Sequence, residues 1–128
     1  MSAGRRDERG AAVTDFAMVA PLLTVLFLGL VQLGLALHVR NTLVSCAAEG
    51  ARYGARADAV PGQGVARTRE LVSASLAPSY ARSVTSREST VAGVRVLEVR
   101  VVAPVPVLGL LGPAGRYDVV GRAFLERQ

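Results

Sequence analysis

Lysine and tryptophan are absent from this 128-residue sequence, and cysteine and histidine occur once each, as Cys46 and His38. A single cysteine excludes an internal disulfide framework and a cysteine-rich zinc site. A His-dependent triad or metal site would have to use His38, which stands at the end of an apolar run and reads as an interfacial helix residue. No Walker-type glycine loop occurs, and no serine has a histidine partner at a credible place. An enzyme is therefore not expected, nor a cofactor or metal. Aromatic residues make up only 5%, too few to interleave with a basic stripe. The arginines scatter from Arg40 to Arg122, so no nucleic-acid partner is expected.

What is present is apolar and basic. Net charge is +5 with a pI near 10.6, carried by arginine alone, and mean hydropathy is +0.36. Total replacement of lysine by arginine reads first as compositional bias. The positive balance favours unspecific attraction to lipid headgroups or anionic envelope polymers. The hydrophobic excess is concentrated in Phe16 to Val39, a stretch without Asp, Glu, Lys or Arg. As a helix it would reach about 36 Å, enough for a hydrocarbon layer of roughly 30 Å. It is too long for a secretory signal core, and Ala36-Leu37-His38 is a poor cleavage site. A buried helix of this kind would need a larger domain around it. A single membrane-spanning helix is expected, bent near Pro21, with thin places at Gly29 and Gly34. Arg5, Arg6 and Arg9 precede it, which predicts a cytoplasmic N-terminus and an extracytoplasmic C-terminal part.

Asp15 is the one charge between Ala11 and Val39. A helix-start acid is favoured by the macrodipole, so its presence alone says little. Its spacing says more. A cut after Gly10 would free an ammonium at Ala11, four residues before Asp15 and on the same helical face. In a bundle of such helices the two charges can pair between neighbours. A basic tail, Gly, four residues, an acid, the aromatic Phe16 and an apolar helix make up the arrangement of prepilin leaders.

The run from Gly10 to Leu23, with Asp15-Phe16 and Pro21-Leu22-Leu23, resembles the start of the TadE-like pseudopilins of tight-adherence pilus systems. A second block, Glu49-Gly50-Ala51-Arg52-Tyr53, is similar to the Arg-Glu-Gly-Ala-Arg-Tyr block that follows the helix in that family. The family usually carries Glu where this chain has Asp15, one methylene shorter. The resemblance implies cleavage between Gly10 and Ala11 by a prepilin peptidase. It implies a pseudopilin-like fold and, as partners, other pilins or pseudopilins, Tad platform proteins and membrane lipid.

Beyond the span, Leu43, Ala47, Gly50 or Ala51, and Gly54 recur at helical steps. The helix is expected to continue outward and pack a small-residue stripe against something flat. Pro61 to Gly64 reads as a loop, and Val65 to Ala77 as a second helix stopped by Pro78. Alternation predicts strands at Val94 to Val101 and Tyr117 to Leu125, with a weaker one near Ser83 to Val91. The phase slips at Val96-Leu97, predicting a bulge or a strand buried on both faces. The Pro/Gly-rich segment from Pro104 to Pro113 is expected to be an apolar non-strand loop that contacts another subunit, lipid or the sheet.

The expected class is α+β: a cytoplasmic leader at 1–10, a transmembrane helix at 11–39, and an extracytoplasmic domain at 40–128 with a helix on about three antiparallel strands. The function implied is that of a non-enzymatic, single-pass pilus assembly component in the cell membrane. The alternative is a cell-envelope binding module unrelated to pili, either signal-anchored or lipidated at Cys46, because Leu43-Val44-Ser45-Cys46 matches a lipobox.

Overall fold

A computed structural model describes residues 3–106 and 115–126. Helix α1 (Ala3–Gly54) runs for 52 residues. The chain divides into two units, Met1–Gly34 and Leu35–Gln128.

Among the described residues the N-terminal unit is helix alone. Its large apolar side chains are bare, with Phe16 at 74%, Leu22 at 68% and Phe27 at 65% exposure. A window of α1 reaches a mean hydropathy of 2.2 with none of it buried. A helix apolar all round and unburied suits a hydrocarbon solvent rather than a core. It is long and apolar enough to cross a membrane. Helix assignment continues through Pro21 and extends back over the leader as far as Ala3. The Thr24 hydroxyl donates to the Ala20 carbonyl at 2.8 Å, a local bond that keeps this polar side chain satisfied in lipid.

The C-terminal unit adds α2 (Gln63–Ser75), a 3-10 turn (Pro78–Ala81) and strands β1 (Ser83–Val91), β2 (Val94–Pro104) and β3 (Arg116–Phe124). The strands form one antiparallel sheet in the order β1-β2-β3. The architecture is the expected α+β one. Helix α2 starts and stops two residues earlier than the periodicity predicts. Gly62, at φ 90, opens it, and the Gln63 side chain accepts the Val60 N–H at 3.1 Å. It ends early because Ala77, directly before Pro78, is extended at φ −155 and ψ 156, as a residue preceding proline prefers.

Val99, Val101 and Ala103 of β2, Val84 of β1 and Val119 of β3 form the inner face of the sheet. Leu43, Ala47 and Ala51 of α1 and Val72 of α2 pack into the same core. The small-residue stripe thus meets a flat surface, as its composition predicts. No bulge accompanies the phase slip in β2. Val96 pairs with Ser89 and Leu97 with Glu88 in uninterrupted register. The second expectation holds instead, because Val96 and Glu98 are buried on the outer face, at 4% and 6% exposure. β1 and β2 join through Ala92 and Gly93, both at positive φ (51 and 80), a two-residue hairpin of the twist-matching kind. Of the expected loop, Pro104 is the last residue of β2, and the Val105 N–H donates to the Gly115 carbonyl at 3.0 Å. Residues 107–113 of that loop lie outside the described residues.

Candidate functional site

The helix start forms the first half of the candidate site. Gly10 and Ala11 are exposed within α1, and a side chain at Gly10 would meet nothing within 4 Å. The Gly10 carbonyl accepts a bond from the Thr14 hydroxyl at 2.9 Å. Asp15 and Phe16 are exposed on the same helix. Gly29 and Gly34 likewise have open space around them, so a second helix could approach closely at either position.

The second half is the block that ends α1, and it divides by side-chain size. Gly50 and Ala51 are buried. A Cβ on Gly50 would fall 1.7 Å from the Thr68 hydroxyl oxygen and 2.8 Å from the Gly64 carbonyl oxygen. A Cβ on Gly54 would fall 2.8 Å from the Gly64 Cα. Here α1 and α2 touch almost backbone to backbone, which only glycine permits. The buried Thr68 hydroxyl donates back to the Gly64 carbonyl at 2.7 Å, so that hydroxyl is not left unpaired in the contact. The larger members of the block stay outside. Arg52 pairs with Glu49 at 3.3 Å. The Tyr53 ring lies under the guanidinium groups of Arg56 and Arg67, at 5.6 and 5.8 Å from its centroid.

Four positions carry weight here that the sequence reading did not single out. Gly121 of β3 faces α1 so closely that a Cβ would lie 2.2 Å from the Ala47 carbonyl carbon. A glycine within an alternating strand is the available signal for such an approach. The Tyr117 hydroxyl donates to the Ala36 carbonyl at 2.6 Å, tying β3 to α1 just before the apolar run ends. Thr68 fills the gap above Gly50. On the outer sheet face, Glu98 accepts from Arg87 Nε at 2.7 Å and from Arg122 Nε at 2.6 Å. These bonds from Arg122 and Arg87 hold the Glu98 carboxyl down at about 2. Beside them Arg100 grips both oxygens of Asp118 and lowers its pKa as well.

That outer face bounds a depression of about 410 Å³ lined by Arg87, Glu98, Arg100, Asp118 and Arg122. Its three arginines and two carboxylates are tied to one another, Glu98 serving both Arg87 and Arg122, so it presents an ion-paired surface with one net positive charge. Cys46 is buried within α1 at 6% exposure. Burial raises its thiol pKa, partly offset by a bond with Ser75, which describes a packed and unreactive cysteine. His38 is exposed, and its carbonyl accepts the Thr42 hydroxyl at 2.9 Å. Among the described residues no group of three or more His, Cys, Asp or Glu is placed to hold a metal ion.

Residues 10–52 match the family described as TadE-like protein. The match takes in the apolar helix start and the later block as far as Arg52, with Tyr53 just outside it. Comparison with curated proteins and with solved structures gave no match.

Proposed function

We propose, for a chain that is TadE-like over residues 10–52, a single-pass pseudopilin role in assembly of a Tad-type pilus. In this reading α1 holds the subunit in the membrane with residues 1–10 on the cytoplasmic side. A prepilin peptidase cuts after Gly10. The new Ala11 ammonium then pairs with the Asp15 carboxylate of an adjacent helix, and apolar faces exchange lipid for one another. In low dielectric an uncancelled carboxylate is costly, so charge pairing sets the axial register of neighbouring helices. The C-terminal unit stays outside and meets other pilus components. The role is non-enzymatic.

The observation that carries this reading is the coincidence of the family match with one helix. That helix is bare and apolar from Phe16 to Gly34 and ends in the packed Gly50–Gly54 contact. The test is the intact mass of the protein from cells with and without the peptidase. Loss of residues 1–10 only where the peptidase is present supports the proposal. A full-length mature protein in both strains, or a product beginning at lipidated Cys46, overturns it. The lipid alternative also requires Cys46 to leave a buried position inside α1.

A further inference from the structure

We infer that Arg40, Arg82 and Arg116, with Tyr117, form a binding site for anionic phospholipid headgroups at the end of the C-terminal unit where α1 leaves its apolar run. The inference rests on the membrane-spanning reading of α1 and deepens it by naming the lipid class and the residues.

Three elements bring these side chains to one end. Arg40 is the first charged residue after the run that closes at Val39. Arg116 begins β3 and pairs with Pro104, the last residue of β2. Ser83 is the first residue of β1 and pairs with Val102, so Arg82 just before it lies at the same end of the sheet. Tyr117, next to Arg116, closes the group onto α1 through its bond to Ala36, one helical turn before Arg40. The Tyr117 hydroxyl is influenced electrostatically by both Tyr80 and Arg40, which places all three side chains in one neighbourhood.

Charge state separates this end from the rest of the unit. Elsewhere in the unit the described salt bridges engage Arg52 at the end of α1, Arg56 just beyond it, Arg67 of α2 and four arginines of the sheet, and Arg69 of α2 is the other exposed arginine outside them. Arg40, Arg82 and Arg116 are exposed, and among the described residues none is paired with a carboxylate. The nearest acid along β3, Asp118, is already held by Arg100. Arginine offers a planar fork that matches phosphate oxygens. Tyrosine prefers headgroup depth, where its ring is dry and its hydroxyl bonded. The last bare large apolar residue of the run in α1, Leu37, precedes Arg40 by three residues, about 4.5 Å of helix. With the bare run in the hydrocarbon layer Arg40 reaches headgroup depth, which favours a lipid phosphate over an acidic protein surface.

The test uses the full chain reconstituted in bilayers containing spin-labelled phosphatidylglycerol or, separately, spin-labelled phosphatidylcholine. The wild-type protein is expected to immobilise the anionic lipid preferentially, by up to about fivefold for each arginine, and less so at high salt. R40Q/R82Q/R116Q is expected to abolish the preference, while R69Q, an exposed change on α2, leaves it intact. R40K/R82K/R116K keeps the charge and is expected to retain most of the preference, which separates lost charge from a lost fold. No preference in the wild type, or an undiminished one in the glutamine variant, overturns the inference. No lipid preference in the wild type, together with pilus assembly lost in the glutamine variant, assigns the arginines to a protein partner and also overturns it. A wild-type protein released from membranes by alkaline carbonate would instead refute the spanning reading itself.

Discussion

Replacing Gly121 by alanine is expected to destabilise the C-terminal unit by about 3 kcal/mol, the upper part of the usual range for overpacking. The added Cβ would lie 2.2 Å from the Ala47 carbonyl carbon, 2.3 Å from the Ala48 nitrogen and 2.4 Å from the Ala47 oxygen. Carbon atoms rest at about 3.5–4.0 Å, so strand and helix must part by more than about 1 Å. All three obstructing atoms are backbone, and no rotamer change removes them. The separation would open the contact along Leu43, Ala47 and Ala51, each now at 0% exposure. A gap of that size forfeits roughly a quarter to a half of each dispersion contact. The measurement is urea unfolding of the full chain in mild detergent, read by hydrogen exchange of the β2 and β3 amides, because α1 dominates any helical signal. Gly34→Ala is the control, since nothing lies within 4 Å of its new methyl group. A Gly121→Ala protein within about 0.5 kcal/mol of wild type, the range of a neutral surface change, would refute the close approach.

Acid titration of the same unfolding reaction tests the outer-face network. The Glu98 carboxyl is lowered from 4.5 to about 2, so its contribution is complete above about pH 4.5 and is lost as pH falls toward 2. Glu98→Gln is expected to flatten the pH dependence in that window, leaving the smaller share owed to Asp118. Gly50→Ala and Thr68→Ala are expected to couple in a double-mutant cycle, because removing the Thr68 side chain relieves its 1.7 Å contact but not the 2.8 Å contact with the Gly64 oxygen. Ala92→Gly is expected to raise stability by about 0.5–1 kcal/mol, the relief of a left-handed alanine less the added freedom of the unfolded chain. An unchanged unfolding midpoint would refute that account of the Ala92 φ of 51. Asp15→Asn is expected to insert in the membrane as wild type does but fail to enter filaments, and Asp15→Glu to enter them. Membrane fractionation and filament immunoblotting check both.

Residues whose partners are near in sequence were the legible ones. The apolar run and the helical stripe from Leu43 to Gly54 follow from local periodicity and hold in the structure, while α2 ends two residues sooner than the pattern before Pro78 predicts. The phase slip in β2 was visible at Val96-Leu97, but its cause was not. Val96 and Glu98 are covered on the outer face by neighbours brought in through strand pairing, and Arg122 reaches Glu98 across 24 positions of chain. The role of Gly121 stayed hidden for the same reason. A glycine within the alternation of β3 signals a close approach but not what approaches, and only the register against Val99 places it under α1. In the candidate site the Asp15-Phe16 start and the Glu49–Tyr53 block could be read directly. The complement of Gly50 on α2, Gly64 and Thr68, could not, because the close approach of two helices leaves no local pattern on the second one.

Helix α1 solves two solvation problems with two compositions. In the apolar run its bulky side chains can find hydrocarbon contacts in any direction, so a periodic pattern has no use there. From Leu35 on the helix meets the sheet, and further along α2 as well. The stripe of Leu43, Ala47, Gly50, Ala51 and Gly54 carries little apolar area per residue and cannot rely on transfer from water alone. Its binding strength comes from approach distance, with glycine facing glycine at α2 and the Ala47 backbone seated on Gly121. Such contacts are intolerant of added atoms yet need few bulky residues. The family match ends at residue 52, within this contact and before α2 and the sheet begin. The matched segment therefore contains the membrane part and nearly all of the docking stripe, and the unmatched remainder must supply surfaces thin enough to receive it. Gly64 and Gly121 are how this chain does so.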